Sequence, residues 1–242
     1  MDLVTLEKAI GYSFKKPEIL TRALTHRSWA HESLKGQPDS EIRAAANESL
    51  EFLGDSVLGL AISEMLFCKN PDTAEGGLTL MKHRLVSAAT LANIAEKIGL
   101  GQYIRIGKGE ERSGGRHKPQ LLANALEAII GAVFLDGGYI MARSLVSRLF
   151  TEELKETTPE TSLDYKSLLQ ETLQARKLAA PVYKLLRSEG QPHKRIFYVE
   201  ARWDGGSSFG FGKTIKSAEM MAASRAIDAL ATLNVKKETQ SE

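Results

Sequence analysis

The chain has 242 residues, 43% of them hydrophobic and 26% charged, with a formal net charge of +2. That is ordinary globular usage, which excludes wholesale disorder and leaves room for one large or two modest cores. A single cysteine, Cys68, excludes an internal disulfide and fits a reducing cytosol, so a cytoplasmic location is expected.

In chain order, helical periodicity is read first in LVTLEKAI, PEILTRALTH and NESLEFLGDSVLGLAISEMLF. It continues through LTLMKHRLVSAATLANIAEKIGL, QLLANALEAIIGAVFLDGG and YIMARSLVSRLFTEEL, with the break ERSGGRHKP between. No apolar run approaches the roughly 20 residues of a bilayer span, so no membrane association is expected. The opening MDLVTLEKAIGYSF lacks the basic start and apolar stretch of a secretion signal. The stretch 151–162, TEELKETTPETS, reads as a helix end running into a linker.

After it the period changes. DYKSLLQETLQARKL reads as a helix, then PVYKLLRSEG, RIFYVEARWDGG and SSFGFGKT as three short strands, and KSAEMMAASRAIDALATL as a closing helix. The fold class expected is therefore multidomain: an all-α domain over 1–150, a linker, an α+β (α-β-β-β-α) domain over 163–233, and a polar tail over 234–242. Charge divides the same way. Residues 1–162 carry 19 Lys and Arg against 21 Asp and Glu, whereas residues 163–237 carry 13 against 7.

The helix that begins at NESLEFLGD concentrates negative charge. At 100° per residue, Leu50, Leu53, Val57 and Leu60 fall within about 80° and are expected to face the core. Glu48, Glu51 and Asp55 fall within about 60° on the opposite side, with Phe52 about 40° from Glu48. A charged face is ordinarily just solvated, but this one has no Lys or Arg at i±4 and carries a large aromatic. In QLLANALEAIIGAVFLD, Asn124 and Glu127 are the only polar residues between Gln120 and Asp136. A helix apolar nearly all round is buried, and a buried carboxylate needs a cation. Gly131, one turn on, leaves room for an approaching group. A divalent metal between the two helices accounts for both anomalies. No Cys/His cluster stands in the sequence, so the ligands would be oxygens, which suits Mg²⁺ or Mn²⁺.

These motifs are similar to a known family. NESLEFLGDSVL resembles the ribonuclease III signature, and LLANALEAIIGAVFLDGG resembles that family's second acidic motif. THRSWAHE and GKGEERSGGRHKPQLLAN are similar to it as well, and residues 163–233 resemble a double-stranded RNA-binding domain. The resemblance implies a homodimeric, Mg²⁺-dependent endonuclease, with Mn²⁺ able to substitute and no nucleotide cofactor. Such an enzyme cuts both strands of duplex RNA, leaves 5′-phosphate and 3′-hydroxyl ends, and processes ribosomal and other structured precursors.

By the same resemblance, Glu51, Asp55 and Glu127 build the metal site. Glu51 and Glu127 are direct ligands, and Asp55 and Glu127 are the catalytic pair. Glu48 and Glu75 add to the acidic cluster, and Phe52 inserts into a partner subunit. The family usually has Asp where this chain has Asn124, whose amide oxygen would ligate with one formal charge fewer. A second reading follows from Asn124 alone: a duplex-binding protein on the same fold that cuts weakly or not at all. A third, a hydrolase of small phosphate esters, leaves the basic second domain without a purpose.

For RNA, the resemblance places Gln170, Glu171 and Gln174 against one minor groove and His193, with Lys194 beside it, in the next. Lys213 and Lys216 meet the phosphates between. The family's paired lysines are Ile215 and Lys216 here, and Arg225 compensates in part. Lys82, His83, Arg84, Arg112, Arg116, His117 and Lys118 are candidates to flank RNA on the first domain. Phe197, Val199, Ala222, Ala226 and Leu230 are expected in the core of the second.

Overall fold

The computed structural model describes residues 3–162, 165–191 and 195–238, with backbone alone at 160, 161 and 231–238. His193 and Lys194, the expected loop contacts, lie outside the described residues, as does the end of the expected polar tail. The chain divides into two compact units, 1–162 and 163–242.

The first unit is helical: α1 (Leu3–Ile10), α2 (Pro17–Ala23), α3 (Arg27–Ser33), α4 (Asp39–Ala45), α5 (Glu48–Lys69) and α6 (Glu75–Leu85) lead to α7 (Ala88–Lys97). After a short turn of 3-10 helix come α8 (Lys108–Arg112), α9 (Pro119–Gly137), α10 (Tyr139–Leu149), α11 (Thr151–Glu156) and α12 (Pro159–Ser162). Local chemistry sets several starts. Pro17 and Pro119 open α2 and α9, where a missing N–H costs nothing. Ser87 accepts from the Thr90 N–H at 3.3 Å and so splits the run read as one helix over 78–100 into α6 and α7. Residues 151–156, where a helix end is expected, form α11, and 159–162, expected as linker, are helical too; both belong to the first unit, with Leu154 packed on its core and Thr157 buried.

The heart of this unit is the crossing of α5 and α9. Their contact is unusually close because glycine sits on both sides of it. A Cβ on Gly54 would lie 1.7 Å from the Glu127 carbonyl oxygen, and one on Gly131 would lie 2.3 Å from the Leu50 carbonyl oxygen. The space beside Gly131 is thus filled by the backbone of α5. Around the crossing, Leu50, Val57, Leu58, Ala61 and Ile62 pack with Leu122, Leu126, Ile129 and Val133, and a buried Leu or Ile contributes about 1.5–3 kcal/mol. The buried stripe centres on Gly54, Leu58 and Ala61, so Leu60, expected in the core, is 58% exposed instead.

By length and composition alone α9 could cross a membrane, contrary to the expectation that no run came close. In the fold it is the core helix, with eleven of its residues buried.

The second unit is α13 (Tyr165–Ala175), an antiparallel sheet in the order β1 (Val182–Glu189), β2 (Ile196–Trp203), β3 (Gly206–Gly212), and α14 (Ile215–Glu238). The expected α-β-β-β-α order holds. Leu169 and Leu173 of α13 pack with Trp203 of β2 and with Ala223, Ala226 and Leu230 of α14. Val199 and Ala222 are buried as expected, while Phe197 is half-buried. Small residues let α14 lie close on the sheet, where a Cβ on Gly210 would meet the Ala218 carbonyl oxygen at 2.2 Å.

Candidate active site

The close crossing of α5 and α9 decides which side chains meet. Glu48, Glu51 and Asp55 lie along the first two turns of α5, and Asn124 and Glu127 lie one turn apart on α9. All five line one cavity of about 750 Å³. Phe52, Asn47, Gln120 and Leu121 complete its walls, and His26, Arg27, Glu110 and Lys118 form a polar rim. Glu75 is not brought to this cavity. It opens α6, where its Oε1 accepts from the Thr79 hydroxyl at 2.9 Å.

Electrostatics single out Glu127. Burial, followed by the nearby Asp55 and Glu51 carboxylates, pushes its pKa up to about 7. Among the described residues, no Lys, Arg or His lies within ion-pair distance of it. Glu51 is also raised, first by burial and next by Glu48, and the amide of Asn124 and the charge of Arg27 offset this in part. Glu48 is relieved from outside its own helix, by Arg27 at 3.4 Å, so the acidic face does have one cation partner. On the rim, Lys118 pairs with Glu110 at 2.6 Å. Burial lowers the pKa of His26, whose Nδ1 accepts from the Ser28 N–H and caps α3.

This donor set fits a divalent cation. Half-buried oxygen ligands that repel one another, with one carboxyl held half-protonated near neutrality for want of positive charge, are what such an ion stabilises. The side chains face a shared cavity rather than a shared point. Among the described residues, no three His, Cys, Asp or Glu side chains converge as a ready-made cage. Buried Asn47, which heads the signature motif, is structural: its Nδ2 donates to the Ala23 carbonyl at 3.2 Å and ties α5 to α2.

The comparisons with known proteins now bear on this arrangement. Residues 16–154 match the ribonuclease-III-like family model, and residues 165–230 match the double-stranded RNA binding motif. Ribonuclease 3 of Magnetococcus marinus is 43% identical over 231 residues, which is 94% of this chain and 93% of that protein. The chain belongs to the ribonuclease III family. Ribonuclease 3 of Syntrophotalea carbinolica is 44% identical over 228 residues, covering 93% of this chain and 95% of the relative. Among solved structures, the nuclease domain of ribonuclease III from Campylobacter jejuni is similar with a TM-score of 0.57 and 38% identity. It covers 64% of this chain and 99% of its own.

As a member of the ribonuclease III family, the chain carries a second unit that matches a duplex RNA-binding motif. There Gln170, Glu171 and Gln174 are exposed on α13, and Lys213 and Lys216 are exposed at the start of α14. Arg225 is spoken for in part, since its guanidinium donates to the Phe209 carbonyl at 2.8 Å and lies over Phe211. On the first unit, Lys118 reaches the acidic cavity, but Arg116 is structural: it pairs with Glu111 and donates to the Gly101 and Ile104 carbonyls. Sequence reasoning missed the rim residues His26 and Arg27, at the start of α3, and Glu110, in α8, which are far from α9 or α5 in sequence. Gln120 had a local signal, four residues before Asn124 on one helical face.

Proposed function

We propose that this chain is a metal-dependent, double-strand-specific endoribonuclease that acts as a homodimer. The observation that carries this reading is Glu127: a half-buried carboxylate near two others and, among the described residues, within ion-pair distance of no Lys, Arg or His, in a chain that also bears a duplex RNA-binding motif. Glu51 and Glu127 would hold Mg²⁺, with Mn²⁺ able to substitute, and Asp55 stands next to them. When bound, the ion supplies a nucleophilic water at neutral pH and stabilises charge on the leaving oxygen.

The protein's own groups do the rest. Asp55 and Glu127, which line the same cavity, are the catalytic pair of this reading. Arg27 and Lys118 on the rim are placed to meet phosphate oxygens. The P–O3′ bond breaks as water oxygen bonds phosphorus, which leaves a 5′-phosphate and a 3′-hydroxyl. Gln170, Glu171 and Gln174 face the minor groove, and Lys213 and Lys216 meet phosphates, reading duplex shape rather than sequence.

The homodimer is supported by the outer face of α5. Phe52 is 78% exposed and Phe67 71%, and with Leu60 they form one apolar stripe beside the acidic cavity. Exposed apolar surface of this kind marks a contact with another chain, and Phe52 is the residue that would enter the partner. Structured RNA precursors, including ribosomal ones, in the cytoplasm are the substrates this reading implies. Nothing in the structure favours the non-cutting reading. Competition tests substrate class: unlabelled duplex RNA should suppress cleavage of a labelled duplex, and mononucleotides should not. Suppression by mononucleotides would favour the small-ester hydrolase.

A further inference from the structure

The imidazole of His26 stands where α3 begins and the start of α8 packs on it, and its contacts fix which nitrogen carries the proton. Its Nδ1 accepts from the Ser28 N–H at 3.3 Å and lies 2.8 Å from the Ser28 Oγ. A nitrogen that receives a backbone N–H has no room for a proton of its own. Ser28 Oγ in turn accepts from the Gly107 N–H at 2.9 Å, which leaves its hydroxyl proton for Nδ1. Glu32 of α3 fastens the same segment, accepting from the Lys108 N–H at 3.0 Å. Burial lowers the pKa of the ring, so at neutral pH it carries one proton, and that proton is on Nε2.

Nε2 makes no hydrogen bond among the described residues, and it is not sealed in the interior. His26 lines the acidic cavity beside Arg27 and Lys118. We propose that His26 contacts the substrate through this nitrogen, with Nε2–H donating to a phosphate oxygen of the RNA strand that enters the cavity. The inference rests on the proposed nuclease reading and adds a residue to it. An N–H only donates, and phosphate oxygens are the charged acceptors that RNA offers. Arg27 pairs with Glu48 at 3.4 Å and Lys118 with Glu110 at 2.6 Å, whereas the His26 donor is uncommitted. The contacts behind Nδ1 hold the ring in one orientation before RNA arrives, so little freedom is lost when the contact forms.

The test uses the full chain and two substitutions that separate the two nitrogens. The Asn amide reaches about where Nδ1 lies and caps helices well, so His26→Asn keeps the α3 cap and deletes the Nε2–H. The longer Gln reaches about where Nε2 lies, so His26→Gln keeps that donor and gives up the cap. In single-turnover cleavage of a labelled RNA duplex, at saturating protein and Mg²⁺, His26→Asn should cut about ten- to a hundredfold more slowly than wild type. Its melting temperature should be retained. His26→Gln should melt lower and yet cut faster than His26→Asn. In long-range ¹H–¹⁵N spectra of the metal-free protein at pH 7, the His26 ring should show the Nε2–H form. In Glu127→Gln with Mg²⁺, adding duplex should move the Nε2 signal. A ring protonated on Nδ1, or His26→Asn that cuts as wild type does, would overturn the proposal. So would cleavage rates that follow the melting temperatures, which is what a cap alone predicts. If wild type itself never cuts, the nuclease reading fails. The Nε2 signal on adding duplex then decides the contact by itself: movement supports it, and an unmoved signal overturns it.

Discussion

Glu127 is where the chemistry of this site concentrates. Its ordinary pKa of 4.5 rises to about 7 in the fold. Between those values the folded state binds more protons than the unfolded chain, so its contribution to stability falls as pH rises through the window. Metal-free protein should therefore lose melting temperature between pH 5 and pH 8, and Glu127→Gln should flatten that loss. Equal slopes for both proteins would assign the titration elsewhere. This residue was legible in the sequence because it is a carboxylate in a helix that is otherwise apolar, and only burial explains such a helix. Gln120 carried only a weak signal, its place four residues before Asn124 on one helical face, because a polar residue near the start of a helix is ordinary. Glu75 shows the reverse: a motif-matched acid that the fold keeps away from the cavity.

At the level of elements, the site depends on how closely α5 and α9 approach. Gly54 and Gly131 let each helix touch the other's backbone, and the carboxylates that flank this contact inherit its geometry. Gly131→Ala should force the helices apart and lower stability by about 1–3 kcal/mol or more, since the clash is with backbone that cannot rotate aside. Urea unfolding would read this, and duplex cleavage should fall further than stability alone accounts for. A variant with unchanged midpoint and activity would remove the crossing from the account. Helix periodicity gave both helices but not their contact. The same limitation misplaced Leu60, because a four-residue stripe drifts around a helix of 22 residues and the buried centre follows the glycine contact. Past the expected helix end at 151–156 the chain makes one more short helix, 159–162, since polar composition does not forbid a helical turn.

For the whole molecule, the division into an acidic helical unit and a basic α+β unit was visible in charge and in period, and the fold divides the chain at 162/163. The apolar stripe of Phe52, Leu60 and Phe67 was only partly visible: Phe52 stood out among acids, Leu60 was expected in the core, and Phe67 was not singled out. Phe52→Glu should shift the chain from dimer to monomer in sedimentation and abolish cleavage, with the monomer's melting transition retained. A dimer that persists would place the interface elsewhere.

The central claim is that the α5–α9 cavity is a working metal-dependent nuclease site served by a duplex-binding domain. The most direct test is cleavage and binding of a labelled perfect RNA duplex over a Mg²⁺ titration, with wild type and Glu127→Gln side by side. Wild type should cut both strands once Mg²⁺ is supplied, and Glu127→Gln should bind the duplex without cutting it. Wild type that binds at every Mg²⁺ concentration and never cuts, or Glu127→Gln that cuts as wild type does, would contradict the account.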